Sequence, residues 1–244
     1  MKKLFISLSF ILALATTGLQ PVLAAVSTVD ATISKSDERT AKNFNGVAAG
    51  GPISVIITLG STEGVRFEGD ADAIATLITE VKGNILIIRP QNSWTSWSRK
   101  YDGKKITAYV SAKTLTSLTM SGSGSMSVTG KIKESGLAAT LSGSGSITAS
   151  VEVNDFNGVI SGSGNLNISG NANEANVVIS GSGSLTKKGL SVDTLSAQIS
   201  GSGAVNVNVE DKINAVISGS GSVNYSGDAK VDQTVMGSGR VRKI

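Results

Sequence analysis

The tetrapeptide Ser-Gly-Ser-Gly recurs at a nearly constant spacing through the second half of the chain. Successive copies start between 18 and 21 residues apart, and a seventh copy begins with Met236 instead of Ser. Because a flexible Gly/Ser linker keeps no such register, the spacing indicates a structural repeat. The first six copies begin at Ser121, Ser142, Ser161, Ser180, Ser200 and Ser218.

The residues beside each copy are as regular as the copy itself. The position just before the tetrapeptide is always apolar, and so is the second position after it. Polar and apolar residues then alternate, which is typical of a strand with one buried face. The apolar residues before the copies are Met120, Leu141, Ile160, Ile179, Ile199, Ile217 and Val235. Those after the copies are Met126, Ile147, Leu166, Leu185, Val205, Val223 and Val241.

A strand pattern that repeats every twenty residues or so predicts one coil of a β-solenoid. A single coil cannot bury its apolar residues, whereas stacked coils bury them in continuous inward columns. We therefore predict an all-β fold, a right-handed parallel β-helix with seven Ser-Gly-Ser-Gly rungs between residues 111 and 244. Neighbouring rungs should lie about 4.8 Å apart.

The two glycines of each rung have a backbone role in this prediction. They supply a positive φ angle at a corner, or they let two walls approach because no side chain intervenes. Extending the strand alternation through the tetrapeptide predicts that both glycines point inward and both serines outward. The structural repeat glycines are Gly122, Gly124, Gly143, Gly145, Gly162, Gly164, Gly181, Gly183, Gly201, Gly203, Gly219, Gly221, Gly237 and Gly239.

The serines should form outward columns along the solenoid. Stacked hydroxyl groups can simply hydrogen-bond along the column and keep the surface wet. Alternatively, they form a flat polar face that docks on a regular surface such as a glycan or ice. One such column is Ser123, Ser144, Ser163, Ser182, Ser202, Ser220 and Ser238.

Residues 43–110 have a different pattern and are predicted to cap the first rung. Residues 53–59 and 65–69 read as two strands of a hairpin around a turn at 60–64. A helix is predicted to start at Asp70 or Asp72 and to stop at Gly83, because Ile74 and Val81 belong to an apolar stripe at helical spacing. Residues 85–88 and 106–110 are predicted strands. Such a cap protects the otherwise exposed edge of a solenoid.

A polar loop in this region contains both tryptophans of the chain. Trp94, Trp97, Arg99 and Tyr101 could form a platform that stacks on a sugar or contacts a partner. The alternative is that the indole rings fold back and pack on the solenoid wall. These four residues are the candidate ligand-binding residues of the sequence.

The N-terminus predicts export. Lys2 and Lys3 precede a largely apolar segment, and Ala24 offers a small-residue cleavage site, which together indicate a signal peptide over residues 1–24. Residues 25–42 form a polar segment, and residues 43–244 form a single domain. We expect a periplasmic, cell-surface or secreted protein with no integral membrane segment after cleavage.

Composition excludes several classes of chemistry. The chain has no Cys and no His, which removes His-dependent hydrolysis and His- or Cys-ligated metal sites. Its net charge is +4, of which Lys2 and Lys3 contribute half, and the remaining charges are scattered. We therefore predict no catalytic residues, no metal site, no cofactor and no nucleic-acid partner. A carbohydrate-active β-helix enzyme is the weakest alternative. Such enzymes need clustered acidic residues, whereas the acidic residues of this chain occur singly, in the connectors between the predicted strands.

Several features together resemble one known family. They are the segment from Asn43 to Val47, the strand entry from Gly50 to Val55, the helix and strand after Gly69, and the rungs. The chain resembles the "putative autotransporter adhesin head" or GIN-domain family, frequent in Bacteroidetes, from about Arg39 to Val235. The resemblance implies a β-helical fold and a cell-surface or periplasmic location.

These observations predict a non-enzymatic, adhesin-like module that binds a glycan or a cell-surface protein. The binding surface would be the flat serine face, the edge formed by the charged loops that connect the predicted strands, or the tryptophan loop. A second hypothesis is a structural envelope protein that self-associates end to end.

Overall fold

The computed structural model describes residues 37–91, 101, 103–185 and 189–244. In this part of the chain, 18 strands form one continuous sheet, accompanied by a single short helix, α1 (Ala71–Ile74). In chain order the strands are β1 (Asp37–Arg39), β2 (Gly46–Gly50), β3 (Ser54–Leu59), β4 (Gly64–Gly69), β5 (Leu77–Lys82), β6 (Ile85–Pro90), β7 (Ile106–Ala112), β8 (Ser117–Gly122), β9 (Ser125–Ile132), β10 (Gly136–Gly143), β11 (Ser146–Gly162), β12 (Asn165–Gly181), β13 (Ser184–Leu185), β14 (Leu190–Gly201), β15 (Ala204–Gly219), β16 (Ser222–Ser226), β17 (Lys230–Gly237) and β18 (Arg240–Lys243).

The tetrapeptides stack on one another in register. Ser161 pairs with Ser180, Ser180 with Ser200, and Ser200 with Ser218, always between parallel strands. The inward residues beside them form buried columns, in which Ile160, for example, is 0% exposed. The predicted parallel β-solenoid is therefore confirmed, with about seven turns.

Each tetrapeptide forms a corner of the coil, where a carbonyl group links neighbouring rungs. The Gly162 carbonyl oxygen accepts the backbone N–H groups of Ser182 and Gly183 at 3.0 and 2.9 Å. Gly181 has a φ angle of +121°, and a Cβ atom there would lie 2.5 Å from that same oxygen. At Gly183 a Cβ atom would lie 2.5 Å from the Cγ2 atom of Ile160. The hydrogen bonds at the corner thus require both glycines.

The predicted direction of the first glycine in each copy is wrong. A Cβ atom at Gly181 would point along the stack at the rung before it, not into the core. The strand alternation stops there because a corner interrupts the strand, and a new strand starts after the second glycine. The second glycine, such as Gly183, is buried as predicted, and Ser182 between them is exposed.

The N-terminal region contributes rungs as well as a cap. The rung formed by β2 and β3 lies between the rung of β6 and β7 and that of β8 and β9. Gly51 has a φ angle of +105° and lies beside Gly122, so Gly50-Gly51-Pro52 forms a further corner. Strand β1 falls in the segment 25–42, predicted to be merely polar, and pairs with β4.

The predicted hairpin is wrong in its pairing. Strands β3 and β4 both exist, but β7 lies between them, parallel to β3 and antiparallel to β4. The hairpin of the cap is formed instead by β5 and β6. The local pattern identified the strands, whereas the partner of β3 lies more than fifty residues further along the chain, since Ser54 pairs with Thr107.

The predicted helix is much shorter than expected. Asp70 does cap it, since its side chain accepts the backbone N–H of Ala73 at 2.9 Å, but the helix ends at Ile74. Residues 77–82 form β5, because pairing with β6 satisfies their backbone groups and Gly83, with a φ angle of +63°, turns the hairpin. The apolar spacing over residues 74–81 fits a helix with one buried side, but it is also compatible with a strand.

The predicted signal peptide lies outside the described residues. Within the described ranges, no helix has the length and apolar character needed to cross a membrane.

The corner geometry predicts an unequal effect of two Gly→Ala substitutions. Gly181→Ala should lower the free energy of unfolding by at least about 2 kcal/mol, because it combines a positive φ with a backbone clash. Gly60→Ala is the control, since a Cβ atom there meets nothing within 4 Å. Chemical denaturation of both variants measures the difference. Equal stability of the two variants would contradict the corner geometry.

Candidate binding face

One outer wall of the solenoid has three outward-facing columns without any charge over five rungs. We call this surface the uncharged face; it spans β10 to β15. Its columns are Ala138, Asn157, Asn176, Ser196 and Asn214; Thr140, Val159, Val178, Gln198 and Val216; and Ser142, Ser161, Ser180, Ser200 and Ser218. These columns cover about 19 Å along the solenoid and about 13 Å along the strands.

The middle column exposes apolar side chains. Val159, Val178 and Val216 are 39%, 40% and 40% exposed, although their neighbours Ile160 and Ile179 are buried. In the described part of the chain, the other large exposed hydrophobic residues all lie at the C-terminal end of the solenoid. The exposed valines are thus concentrated in one column rather than scattered over the surface.

Hydrogen-bonding groups flank this apolar column on both sides. One flank carries mostly the amide groups of Asn157, Asn176 and Asn214, and the other carries serine hydroxyls in every rung. Such groups both donate and accept hydrogen bonds. The face therefore offers an apolar stripe between two polar edges, at the regular spacing of stacked strands.

The serine columns lie where the sequence predicts them. Both serines of each copy are exposed, including Ser163, Ser182 and Ser202 at the corners. Sequence reasoning missed the valine column, although a signal was present. The residue before each buried apolar position is Thr, Val or Gln, so two apolar residues stand side by side at Val159-Ile160, Val178-Ile179 and Val216-Ile217.

Of the predicted ligand-binding residues, only Tyr101 lies in the described part of the chain. Its ring is 5% exposed. The Tyr101 hydroxyl contacts the Thr76 hydroxyl and donates to the Ala73 carbonyl oxygen at 3.5 Å, so its contacts are with the end of α1. Trp94, Trp97 and Arg99 lie outside the described residues, and their binding role stays a prediction.

The tryptophans have a defined place in the chain order of the rungs. Residues 91–105 connect β6 to β7. In later rungs the tetrapeptide connects the two corresponding strands, such as β8 and β9. The sequence thus has a longer insertion where the other rungs have a four-residue corner.

The N-terminal cap contains a shallow cleft. It encloses about 650 Å³ between β1, β4 and β7. Three of its charged side chains, Arg39, Glu63 and Arg66, form ion pairs with residues beside the cleft. The Asn43 backbone N–H, together with Lys113, holds the pKa of Glu63 below its ordinary value. The guanidinium of Arg66 hydrogen-bonds Glu68, lowers the pKa of that carboxyl group and lies 4.5 Å from the Tyr109 ring centre.

No ready metal site is found among the described acidic residues, since no three of them come together. Asp155 and Glu174 occupy equivalent positions on neighbouring rungs, and both are exposed.

Comparison with known families gives one match over most of the chain. A family model described as "Putative auto-transporter adhesin, head GIN domain" matches residues 43–229, and this confirms the resemblance seen in the sequence. No curated protein matches the sequence.

Several solved structures share the fold. A "putative adhesin" from Bacteroides fragilis superimposes with a TM-score of 0.77 at 19% identity, covering 87% of this chain and 98% of that one. A "putative adhesin" from Parabacteroides merdae gives a TM-score of 0.66 at 21% identity, covering 86% and 95%. A "Putative lipid binding protein" from Parabacteroides distasonis gives 0.68 at 19%, covering 86% and 96%. At these identities the likeness establishes the fold alone.

The uncharged face predicts that neighbouring valines differ in their importance for stability. Val177→Ser should lower the free energy of unfolding by about 2 kcal/mol or more, because Val177 is 1% exposed. Val178→Ser should cost less than about 1 kcal/mol, because its side chain faces solvent. Parallel denaturation curves compare the two. If Val178→Ser were the more costly change, the exposed valines would be structural rather than available for binding.

Proposed function

The chain belongs to the GIN-domain family described as putative auto-transporter adhesin heads, and we propose that it is an exported, non-enzymatic module that binds neutral glycan chains through the uncharged face. The observation that carries this proposal is the column of Val159, Val178 and Val216, exposed between two columns of hydrogen-bonding groups. The predicted signal peptide over residues 1–24 supports export.

The chemistry of the face matches that of a sugar chain lying along the solenoid. A sugar ring has an apolar C–H surface and hydroxyl groups at its edges. In the proposed arrangement, the C–H surface contacts the valines, while the flanking Asn and Ser side chains hydrogen-bond the hydroxyl groups. The columns repeat this arrangement on each rung, so a polymer can make the same weak contact several times.

The charge distribution favours a neutral partner. The three columns of the uncharged face contain no charged side chain. The charges nearest to them on the same wall are Asp155, Glu174 and Lys212, each two residues before the asparagine column. Because these charges are of both signs, they favour neither an anionic nor a cationic polymer, and binding should respond little to salt. The face is also too small for a standard protein interface, which buries about 800 Å² on each partner. A slender polymer needs less area on any one rung.

A non-enzymatic role agrees with the placement of the carboxylates. Asp155 and Glu174 stack on one another in β11 and β12, where the sequence predicts connectors, and both are exposed. A module that only binds needs no buried acid.

Affinity electrophoresis in gels that contain a neutral polysaccharide, such as a mannan or a galactan, tests this function. We expect the wild-type protein to be retarded and the variant Val159→Lys/Val178→Lys to lose at least about tenfold in affinity, because each ammonium group must be desolvated against the sugar. Retardation should be the same at low and high salt.

The control variant places the same charges on another wall. Thr129→Lys/Thr148→Lys introduces two lysines at exposed positions outside the uncharged face, and it should migrate with an unchanged affinity. An equal loss in both variants, or retardation only in gels with an anionic polysaccharide such as alginate, would contradict the proposal.

A further inference from the structure

The two ends of the solenoid differ in how their edges are covered. At the N-terminal end, β4 and then β1 extend the wall beyond β7, and β5 extends the other wall beyond β6. At the C-terminal end, β17 pairs only with β15, and β18 only with β16, among the strands that the structure describes. The last rung therefore presents an edge with unpaired backbone groups, which is a template for a further strand.

Two of the three core columns on this wall stay apolar up to the edge and become exposed there, while Gln233 follows Ala215 in the column between them. Val231 and Val235 follow the buried Ile213 and Ile217 in the core columns, yet they are 37% and 36% exposed. Met236 on the same strand is 58% exposed. A strand added beyond β17 would bury Val231 and Val235 in the way that each rung buries the inward side chains of its neighbour, whereas Met236 continues the outward column of Ser218.

The edge is also basic. Strand β18 reads Arg-Val-Arg-Lys and contains no acidic residue, while β17 contributes one charge of each sign, Lys230 and Asp232. Lys243 pairs with Asp228 at 2.8 Å, and this hydrogen bond raises the pKa of Lys243. Arg242 donates to the Asn224 side-chain oxygen at 3.3 Å, and neither Arg240 nor Arg242 forms an ion pair with a described carboxylate. The two guanidinium groups lie on the outward side, since Val241 between them continues the core column of Val223.

A second copy of the chain fits this edge poorly. Two C-terminal ends would bring the arginines of both copies together, and like charges on paired strands are destabilising. The N-terminal end does not offer a level surface, because one wall extends two strands beyond the first rung and the other wall only one. The charges at this edge therefore favour an acidic partner over the end-to-end self-association of two copies of the chain.

We propose that the outer edge of β17 and β18 binds an extended acidic segment of another protein by strand addition. The backbone of the segment pairs with the edge, its inward residues cover Val231 and Val235, and its outward carboxylates face Arg240 and Arg242. This site is separate from the uncharged face, so its failure leaves the proposed glycan binding untouched.

Fluorescence anisotropy with a short labelled peptide in which Glu alternates with Val tests the site on the intact protein. We expect saturable binding that weakens at least tenfold between low and high salt, and no binding of the matched peptide in which Lys replaces Glu. Arg240→Glu/Arg242→Glu should lose at least tenfold in affinity for the acidic peptide. Lys82→Glu/Lys105→Glu makes the same change of net charge in the N-terminal cap and should bind like wild type.

The variant Val235→Lys separates strand addition from simple attraction of polyanions. It adds a positive charge but places it on the inward side of the edge, where it blocks a further strand. Strand addition predicts weaker binding of the acidic peptide, whereas a polyanion site would bind more tightly. Tighter binding by Val235→Lys, equal binding of the acidic and basic peptides, or equal losses in the two double charge variants would overturn the proposal.

Discussion

The structure depends on the hydrogen bonds that stack one corner on the next. The carbonyl of the first glycine in a rung accepts one or two backbone N–H groups from the following corner; that of Gly162 accepts those of Ser182 and Gly183. This contact leaves no room for a Cβ atom at Gly181. Because the corners cannot shift relative to one another, the strands on both sides of them are held in register, and identical positions form columns.

The columns determine what the surface can do. A single exposed valine on a protein surface has no meaning, but Val159 and Val178 on adjacent rungs form a stripe, and the asparagines and serines beside them form its polar borders. The same regularity creates a problem at the ends, where each column must stop. At the N-terminal end, the outermost strands pair antiparallel to the rungs. At the C-terminal end, polar and basic side chains such as Gln233 and Arg242 surround the exposed valines.

The sequence predicted the repeating rungs correctly. Its predictions failed in the N-terminal cap, where the chain does not repeat. The register of the tetrapeptides and the buried isoleucines followed from spacing alone, because each rung meets a copy of itself. In the cap, the partner of β3 is β7, a pairing across distant segments that no local pattern contains. Residues 77–82 carry an apolar spacing compatible with helix and strand, and the pairing with β6 decided between them. The valine column was not predicted, because the strand pattern separates inward from outward positions but does not show which outward residues of neighbouring rungs stack.

Disulfide formation between introduced cysteines tests the stacking of the corners most directly, since the chain has no Cys of its own. Ser161 and Ser180 are paired on adjacent rungs, whereas Ser200 lies one rung further. The stacked solenoid predicts that Ser161→Cys/Ser180→Cys forms an intramolecular disulfide under mild oxidation and that Ser161→Cys/Ser200→Cys does not, because two rungs span about 9.6 Å, beyond the reach of a disulfide. Equal oxidation of both pairs would contradict the fixed register.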